Sequence, residues 1–138
     1  MDIYLSGTCK WAKLYELDTK FEPKWSINLY PDEHSWEKIR KYGVPQKMRE
    51  DNDGKYITLS RRLRGWVDGK ETDLSPPKVL DANNNEFTEQ VQIGNGSGVT
   101  CKIELYKGKK GNGSRLLAVR VDNLVEYNPG DTDVESPF

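Results

Sequence analysis

Alternating apolar and polar residues mark several segments of this chain as β-strands. The run from Ile3 to Leu17 is rich in Tyr, Leu, Thr, Trp and Ile, and it predicts one long or bent strand with a bulge at Gly7. The segment 25–30 alternates regularly and predicts a second strand, and 55–64 predicts a third. Two more strands are predicted at 99–106 and 116–127, joined by a turn at 108–113 that contains three glycines.

One helix is predicted between the second and third strands. It follows Pro31, with Asp32 or Ser35 as its N-cap, and Gly43 would end it. Its apolar face would comprise Trp36, Ile39 and Tyr42.

Five strands and one helix predict a mainly β protein, a five-stranded antiparallel OB-type barrel with one inserted helix after strand two. The usual OB helix lies between strands three and four, so a helix at this place is an elaboration. The pattern by itself predicts a small β-barrel, and the OB-fold is preferred because it is a common nucleic-acid-binding version. We expect residues 1–127 to form this domain and residues 128–138 to form a flexible acidic tail.

The distribution of charge separates the body from the tail. The net charge is −1, yet the segment from Glu126 to the C-terminus holds four acids and no Lys or Arg, which leaves 21 basic and 18 acidic residues elsewhere. The segments 55–70 and 102–115 each contain five basic residues and one acid. This pattern favours a body that binds a polyanion and a tail that contacts other proteins.

Strand parity sorts the side chains into two faces. In the third strand, the apolar set Ile57, Leu59 and Leu63 is assigned to the core, where Arg61 interrupts the pattern. In the fourth strand, the corresponding core set is Val99, Cys101, Ile103 and Leu105. The opposite faces combine aromatic with basic residues, as single-strand binding sites do. The candidate DNA-binding residues are Trp11, Lys13, Tyr56, Arg62, Arg64, Trp66, Lys102 and Tyr106.

The same stripes also fit an ordinary solvated sheet face, on which Lys and Arg stems cover exposed surface. Trp11 and Trp25 also fit positions in the core. Cations for phosphates and flat surfaces for unpaired bases occur here on three strands of one barrel, and this combination favours a groove for single-stranded nucleic acid.

No motif in the sequence predicts an enzyme, a cofactor or a metal site. The single histidine, His34, falls near the predicted helix start, where a solvated side chain is expected. The turn 51–54 resembles a calcium loop, but its glycine stands fourth instead of sixth, and Arg62 takes the place of the bidentate Glu. The glycine-rich turns do not continue into a Walker motif. Cys9 and Cys101 are predicted to be buried, reduced thiols.

The chain resembles the OB-fold single-stranded DNA-binding proteins of tailed phages. Four pieces carry the resemblance, namely Gly7-Thr-Cys-Lys-Trp-Ala-Lys13, Trp25-Ser-Ile-Asn-Leu-Tyr-Pro-Asp32, Ile93-Gly-Asn-Gly-Ser-Gly-Val-Thr100 and Ala118-Val-Arg-Val-Asp-Asn-Leu-Val-Glu-Tyr127. The resemblance implies sequence-nonspecific binding to single strands in phage replication, recombination or repair. It also implies a helix inserted after strand two.

The C-terminal segment is similar to the acidic tip of bacterial single-stranded DNA-binding proteins. A mobile acidic segment that ends in an aromatic residue offers a partner one apolar group and a carboxylate. The candidate partner-binding residues are Asp131, Asp133, Glu135, Pro137 and Phe138. The resemblance implies recruitment of replication or recombination proteins, and the alternative is a disordered end with no partner.

The sequence therefore predicts a protein that coats single-stranded DNA and recruits partners through its tail. Two other functions stay open: an RNA-binding small barrel of the cold-shock sort, and an adaptor that binds only proteins. No stretch reaches the length of a membrane span and no secretory signal is present, so we expect a cytoplasmic protein, in the host cytoplasm if it is phage-encoded. The sequence leaves the oligomeric state open, a homodimer included.

Overall fold

A computed structural model of the chain describes residues 1–109 and 111–126. The strands are β1 (Asp2–Asp18), β2 (Lys24–Pro31), β3 (Arg49–Asp51), β4 (Gly54–Arg62), β5 (Arg64–Val67), β6 (Lys70–Asp73), β7 (Lys78–Leu80), β8 (Gly98–Gly108) and β9 (Gly111–Asn123), and the helix is α1 (Glu33–Tyr42). The five predicted strands correspond to β1, β2, β4, β8 and β9. Among the described residues, no helix is long and apolar enough to cross a membrane.

The main sheet has the strand order β3-β4-β2-β1-β8-β9-β7. All neighbours in it are antiparallel except β7, which runs parallel to β9. The sheet curls until β4 packs against β9, but no ladder of hydrogen bonds joins these two strands, so the barrel is not closed. The order of the strands, the curl of the sheet and the helix after the second strand confirm the predicted mainly β, OB-type fold.

The helix begins after its N-cap residue, Asp32, and ends at its C-cap residue, Gly43. The Asp32 carboxylate accepts a 2.8 Å hydrogen bond from the Ser35 backbone N–H, and Gly43 takes the left-handed conformation (φ 67°) at the C-cap. Ile39 is buried and Trp36 packs against the core. Tyr42, predicted on the same face, is exposed instead.

The core lies inside the curled sheet. Ile57, Leu59, Cys101 and Ile103 are fully buried, as strand parity predicts. Leu63 and Leu105 are only half-buried, because both lie where their strands leave the barrel. Trp25 belongs to the core, whereas Trp11 is exposed. Both cysteines are buried free thiols, as predicted, and burial raises the pKa of Cys9 to about 11.

The bulge predicted at Gly7 is wrong. Gly7 pairs regularly with Pro31, and its missing side chain lets the Tyr30 carbonyl lie against its Cα. The register shifts further along, where Lys10 faces Asn28 but Lys13 faces Ser26. One extra residue of β1 is accommodated there, and Trp11 takes a left-handed backbone conformation (φ 52°).

Three boundaries also differ from the sequence prediction. The third predicted strand breaks at Leu63, and the chain then forms a separate hairpin of β5 and β6. Asp68 and Gly69 both have positive φ in its turn, which is the geometry of a two-residue hairpin with an Asp-Gly sequence. The β8–β9 turn is tighter than predicted, with Gly108 facing Gly111, and β9 ends at Asn123 instead of 127.

Candidate nucleic-acid interface

The outer face of β1, β2 and β4 forms one continuous polar surface. Lys13 faces Ser26, which in turn faces Ser60, and residues directly opposite each other share a face. On β4, residues two apart from Ser60 also share that face, so Tyr56 and Arg62 belong to it. Three of the predicted residues, Lys13, Tyr56 and Arg62, therefore lie on the same side of the barrel.

A groove of about 560 Å³ adjoins the Arg62 end of this surface. Its walls are the end of β4 with the β5–β6 hairpin on one side and the tip of the β8–β9 hairpin on the other. Four predicted residues line it: Arg62, Arg64, Trp66 and Tyr106. Arg115 lines it as well, although strand parity did not single it out.

The groove carries two aromatic side chains that are open to solvent. Trp66 is 71% exposed and Tyr106 is 44% exposed. An exposed ring in a groove is available for stacking with an unpaired base, which contributes roughly 1–3 kcal/mol. Another exposed aromatic residue, Phe21, lies in the β1–β2 loop, and Glu22 next to it forms an ion pair with Arg62 at 3.5 Å. Phe21 is not among the DNA-binding residues predicted from the sequence.

Two of the three groove arginines, Arg62 and Arg64, form ion pairs with solvent-exposed acidic side chains. Arg62 pairs with Glu22, and Arg64 lies 4.0 Å from both Glu71 and Asp73. Exposed pairs of this kind contribute little to stability, because water and salt screen them and both side chains lose freedom. A phosphate group can therefore replace these carboxylates at small cost.

Lys10 and Tyr30 extend the outer face toward the β3–β4 turn, and neither is among the DNA-binding residues predicted from the sequence. The Tyr30 and Tyr56 rings lie 5.1 Å apart, and the Lys10 ammonium lies 5.4 Å from the centroid of the Tyr30 ring. Asp51 at the end of β3 and Asp53 in the turn both form ion pairs with Lys10. The Tyr30 hydroxyl donates a hydrogen bond to Asp51, and burial together with this bond raises the pKa of Tyr30.

Trp11 projects from the β1 bulge and lies outside the groove. Its side chain is 61% exposed, and its backbone N–H donates a 2.9 Å hydrogen bond to the Asn95 side-chain oxygen. A left-handed conformation is strained for a bulky residue, so the surrounding structure must hold it in place. Exposed Lys13, two residues on, pairs with Asp18 at 3.7 Å.

Lys102 does not line the groove. Its ammonium lies 3.7 Å from the Asp2 carboxylate and 6.0 Å from the centroid of the Tyr4 ring, on the outer face of β8 and the first half of β1. Strand parity correctly groups Lys102 with Tyr106, but Tyr106 lies four residues further along, at the hairpin tip that lines the groove.

The tail residues Asp131, Asp133, Glu135, Pro137 and Phe138 lie outside the residues that the structure describes, as does the predicted boundary at 127/128.

The fold is similar to those of solved proteins from two phages. For gp2.5, a single-stranded DNA-binding protein encoded by bacteriophage T7, the TM-score is 0.58 at 17% identity, over 91% of this chain and 93% of the other. For the single-stranded DNA-binding protein of bacteriophage Enc34 it is also 0.58 at 17% identity, over 98% and 88%. The Enc34 protein in complex with single-stranded DNA gives 0.57 at 18% identity, over 91% and 88%.

No protein-family model matches the sequence, and neither does any curated protein. At identities near 17% the likeness shows the fold alone, which is an OB-type fold of the kind found in these phage proteins.

Proposed function

We propose that this protein binds single-stranded DNA without sequence preference, and that the groove with the adjoining outer face of β1, β2 and β4 is its binding surface. The observation that carries the proposal is the convergence of Arg62, Arg64, Trp66 and Tyr106 on one groove from three different strands. The fold likeness to phage single-stranded DNA-binding proteins supports it.

The chemistry of the surface fits an unpaired strand. Arginines at the groove supply permanent positive charge for phosphates, and the exposed rings of Trp66 and Tyr106 supply stacking surfaces that accept any base. In the middle of the outer face, the short hydroxyl side chains of Ser26 and Ser60 lie opposite each other, and Ser26 is buried. Such a surface can bind a strand by base stacking and by phosphate contacts, and neither kind of contact depends on the base sequence.

We propose further that the protein acts in phage DNA replication, recombination or repair. In this proposal the acidic tail, with Asp131, Asp133, Glu135, Pro137 and Phe138, recruits replication or recombination proteins. Deletion of 135–138 should abolish capture of such a partner and change the affinity for DNA by less than about twofold, because the proposal assigns the DNA contacts to the groove and the protein contacts to the tail. A large loss of DNA affinity on this deletion would refute the separation of roles.

A titration with labelled oligo(dT) at several salt concentrations tests the DNA proposal. We expect quenching of tryptophan fluorescence and an affinity that falls steeply with salt. The double variant Arg62→Ala/Arg64→Ala should reduce the slope of log K against log salt by about 1.4, since each phosphate contact on a single strand contributes about 0.7.

The matched control is Arg40→Ala/Lys41→Ala, which removes the same charge from exposed positions of α1. This control should leave the slope nearly unchanged. Absence of binding to oligo(dT) at low salt would refute the proposal. Tighter binding to a matched RNA strand would replace DNA by RNA as the ligand, because 2′-hydroxyl contacts distinguish the two.

A further inference from the structure

Tyr106 and Gly113 face each other in the β8–β9 ladder, near the tip of the hairpin. A Cβ atom placed on Gly113 would lie 2.5 Å from two ring carbons of Tyr106 and 2.7 Å from its hydroxyl oxygen. These are the three nearest atoms to that position, so the tyrosine ring occupies the space that a side chain at 113 would fill.

The backbone does not require a glycine at this position. Gly111, in the same hairpin, has a φ of 118°, which other residues rarely adopt, whereas Gly113 has no positive φ. The absence of a side chain at 113 therefore serves the ring of Tyr106 and not the turn.

Arg115 contacts the same ring. Its guanidinium carbon lies 5.6 Å from the Tyr106 centroid, within the range of a cation–π interaction. Glu104, on the opposite strand, holds the guanidinium at 3.5 Å. The ring thus fills the side-chain space of Gly113 and has the Arg115 guanidinium over it, yet it stays 44% exposed in the groove.

We propose that Gly113 is a positioning residue for DNA binding. By leaving its own side-chain space empty, it lets the Tyr106 ring lie against β9 and present a flat face to a nucleobase. Arg115 keeps the ring in this orientation. The inference rests on the proposed function of the groove. It identifies Tyr106 as the side chain in the groove that contacts a base and not a phosphate.

A purely structural role for the same contact is the competing explanation. Aromatic side chains that cover a glycine on the neighbouring strand also stabilise sheets. The two roles differ in one respect: only a stacking platform makes the effect of residue 113 depend on the presence of a base in the ligand.

The test compares Gly113→Ala, Tyr106→Ala and the double variant, each titrated with oligo(dT) and with an abasic oligonucleotide of the same length. Loss of one stacked base weakens binding by about 5- to 150-fold. We expect Tyr106→Ala to show a loss in this range for oligo(dT), and Gly113→Ala to show a large part of it. Both should bind the abasic strand as the unchanged protein does.

The double variant should bind oligo(dT) as Tyr106→Ala does, because no ring is left to displace. Without the Tyr106 ring, the double variant has room for the Cβ added at position 113. Its comparison with Tyr106→Ala can therefore be made even if Gly113→Ala alone is unstable. Gly98→Ala, in the same ladder but far from Tyr106, is the matched control and should leave the affinity for oligo(dT) unchanged.

A Gly113→Ala loss that persists in the Tyr106→Ala background, or that is equal with the abasic strand, would overturn the inference in favour of the structural role. Unchanged affinity for oligo(dT) in folded Gly113→Ala would overturn it as well. If the unchanged protein itself does not bind oligo(dT), the proposed function has failed instead, and the two failures are thereby distinguished.

Discussion

The Arg61 guanidinium donates a 2.7 Å hydrogen bond to the backbone carbonyl oxygen of Ser75. It also reaches the Leu116 carbonyl on β9 at 3.4 Å, so this one side chain spans the place where β4 and β9 meet without a ladder. Burial lowers the pKa of Arg61 from its usual value. Its neighbour Arg62 points the other way and is exposed at the groove.

Substitution of Arg61 should therefore destabilise the protein much more than substitution of Arg62. We expect Arg61→Ala to lower the free energy of unfolding by about 1.5–3 kcal/mol, because two carbonyl groups lose a charged donor. Arg62→Ala should change it by no more than about 0.5 kcal/mol, since its ion pair is exposed. Urea denaturation of the two variants checks this, and equal stabilities would contradict it.

Neutralising the acidic turn should strengthen DNA binding through Lys10. Asp51 and Asp53 both pair with this lysine, so Asp53→Asn should remove one of its two acidic partners, make it more available to a phosphate and raise the affinity by about two- to fivefold at low salt. Titration with oligo(dT) measures the gain. Glu37→Gln on α1 is the control for loss of one negative charge, and it should give a smaller gain. A gain that survives in a Lys10→Ala background would show that Asp53 acts by another route.

Substitution of Gly7 should destabilise the barrel. A side chain there would collide with the Tyr30 carbonyl and the Pro31 Cα at the β1–β2 ladder, and backbone atoms cannot move aside as a flexible side chain can. We expect Gly7→Ala to cost about 1–3 kcal/mol of unfolding free energy, as overpacking typically does. Gly98→Ala, whose new Cβ would meet the Asn123 Cβ at 3.3 Å, should cost less. The comparison is made by denaturant titration at one pH.

The buried Cys9 thiol should make stability depend on pH above neutrality. Its pKa is about 11 in the folded protein against 9.0 as the ordinary value, so between these pH values the unfolded chain has released a proton that the folded protein keeps. The free energy of unfolding should therefore fall as pH rises from 9 to 11. Tyrosines and lysines titrate nearby, so the measured quantity is the difference between the unchanged protein and Cys9→Ala. A difference that is constant over this interval would exclude the linkage.

Sequence periodicity was sufficient for the elements that depend on local chemistry. Alternation predicted the five main strands, Asp32 and Gly43 predicted both ends of the helix, and parity placed Ile57 and Leu59 in the core. The Asp68-Gly69 turn contained a readable hairpin signal that the sequence analysis missed.

The contacts between side chains of different strands across the barrel depended on the tertiary structure. Parity assigns a side chain to a face of its strand, but the curl of the sheet decides which faces meet. It therefore brings Tyr106 to the groove with Arg62, Arg64 and Trp66, and leaves Lys102 beside Tyr4. Arg61 shows the same limit of strand parity. A charged residue within an apolar stripe is explained only by its hydrogen bonds to the carbonyl groups of Ser75 and Leu116.

The sequence by itself determined the strands, the helix and their apolar faces, since these follow from contacts between near neighbours in the chain. Only the folded barrel decided the groove, since it joins Arg62 to Tyr106, which lies 44 positions later in the chain.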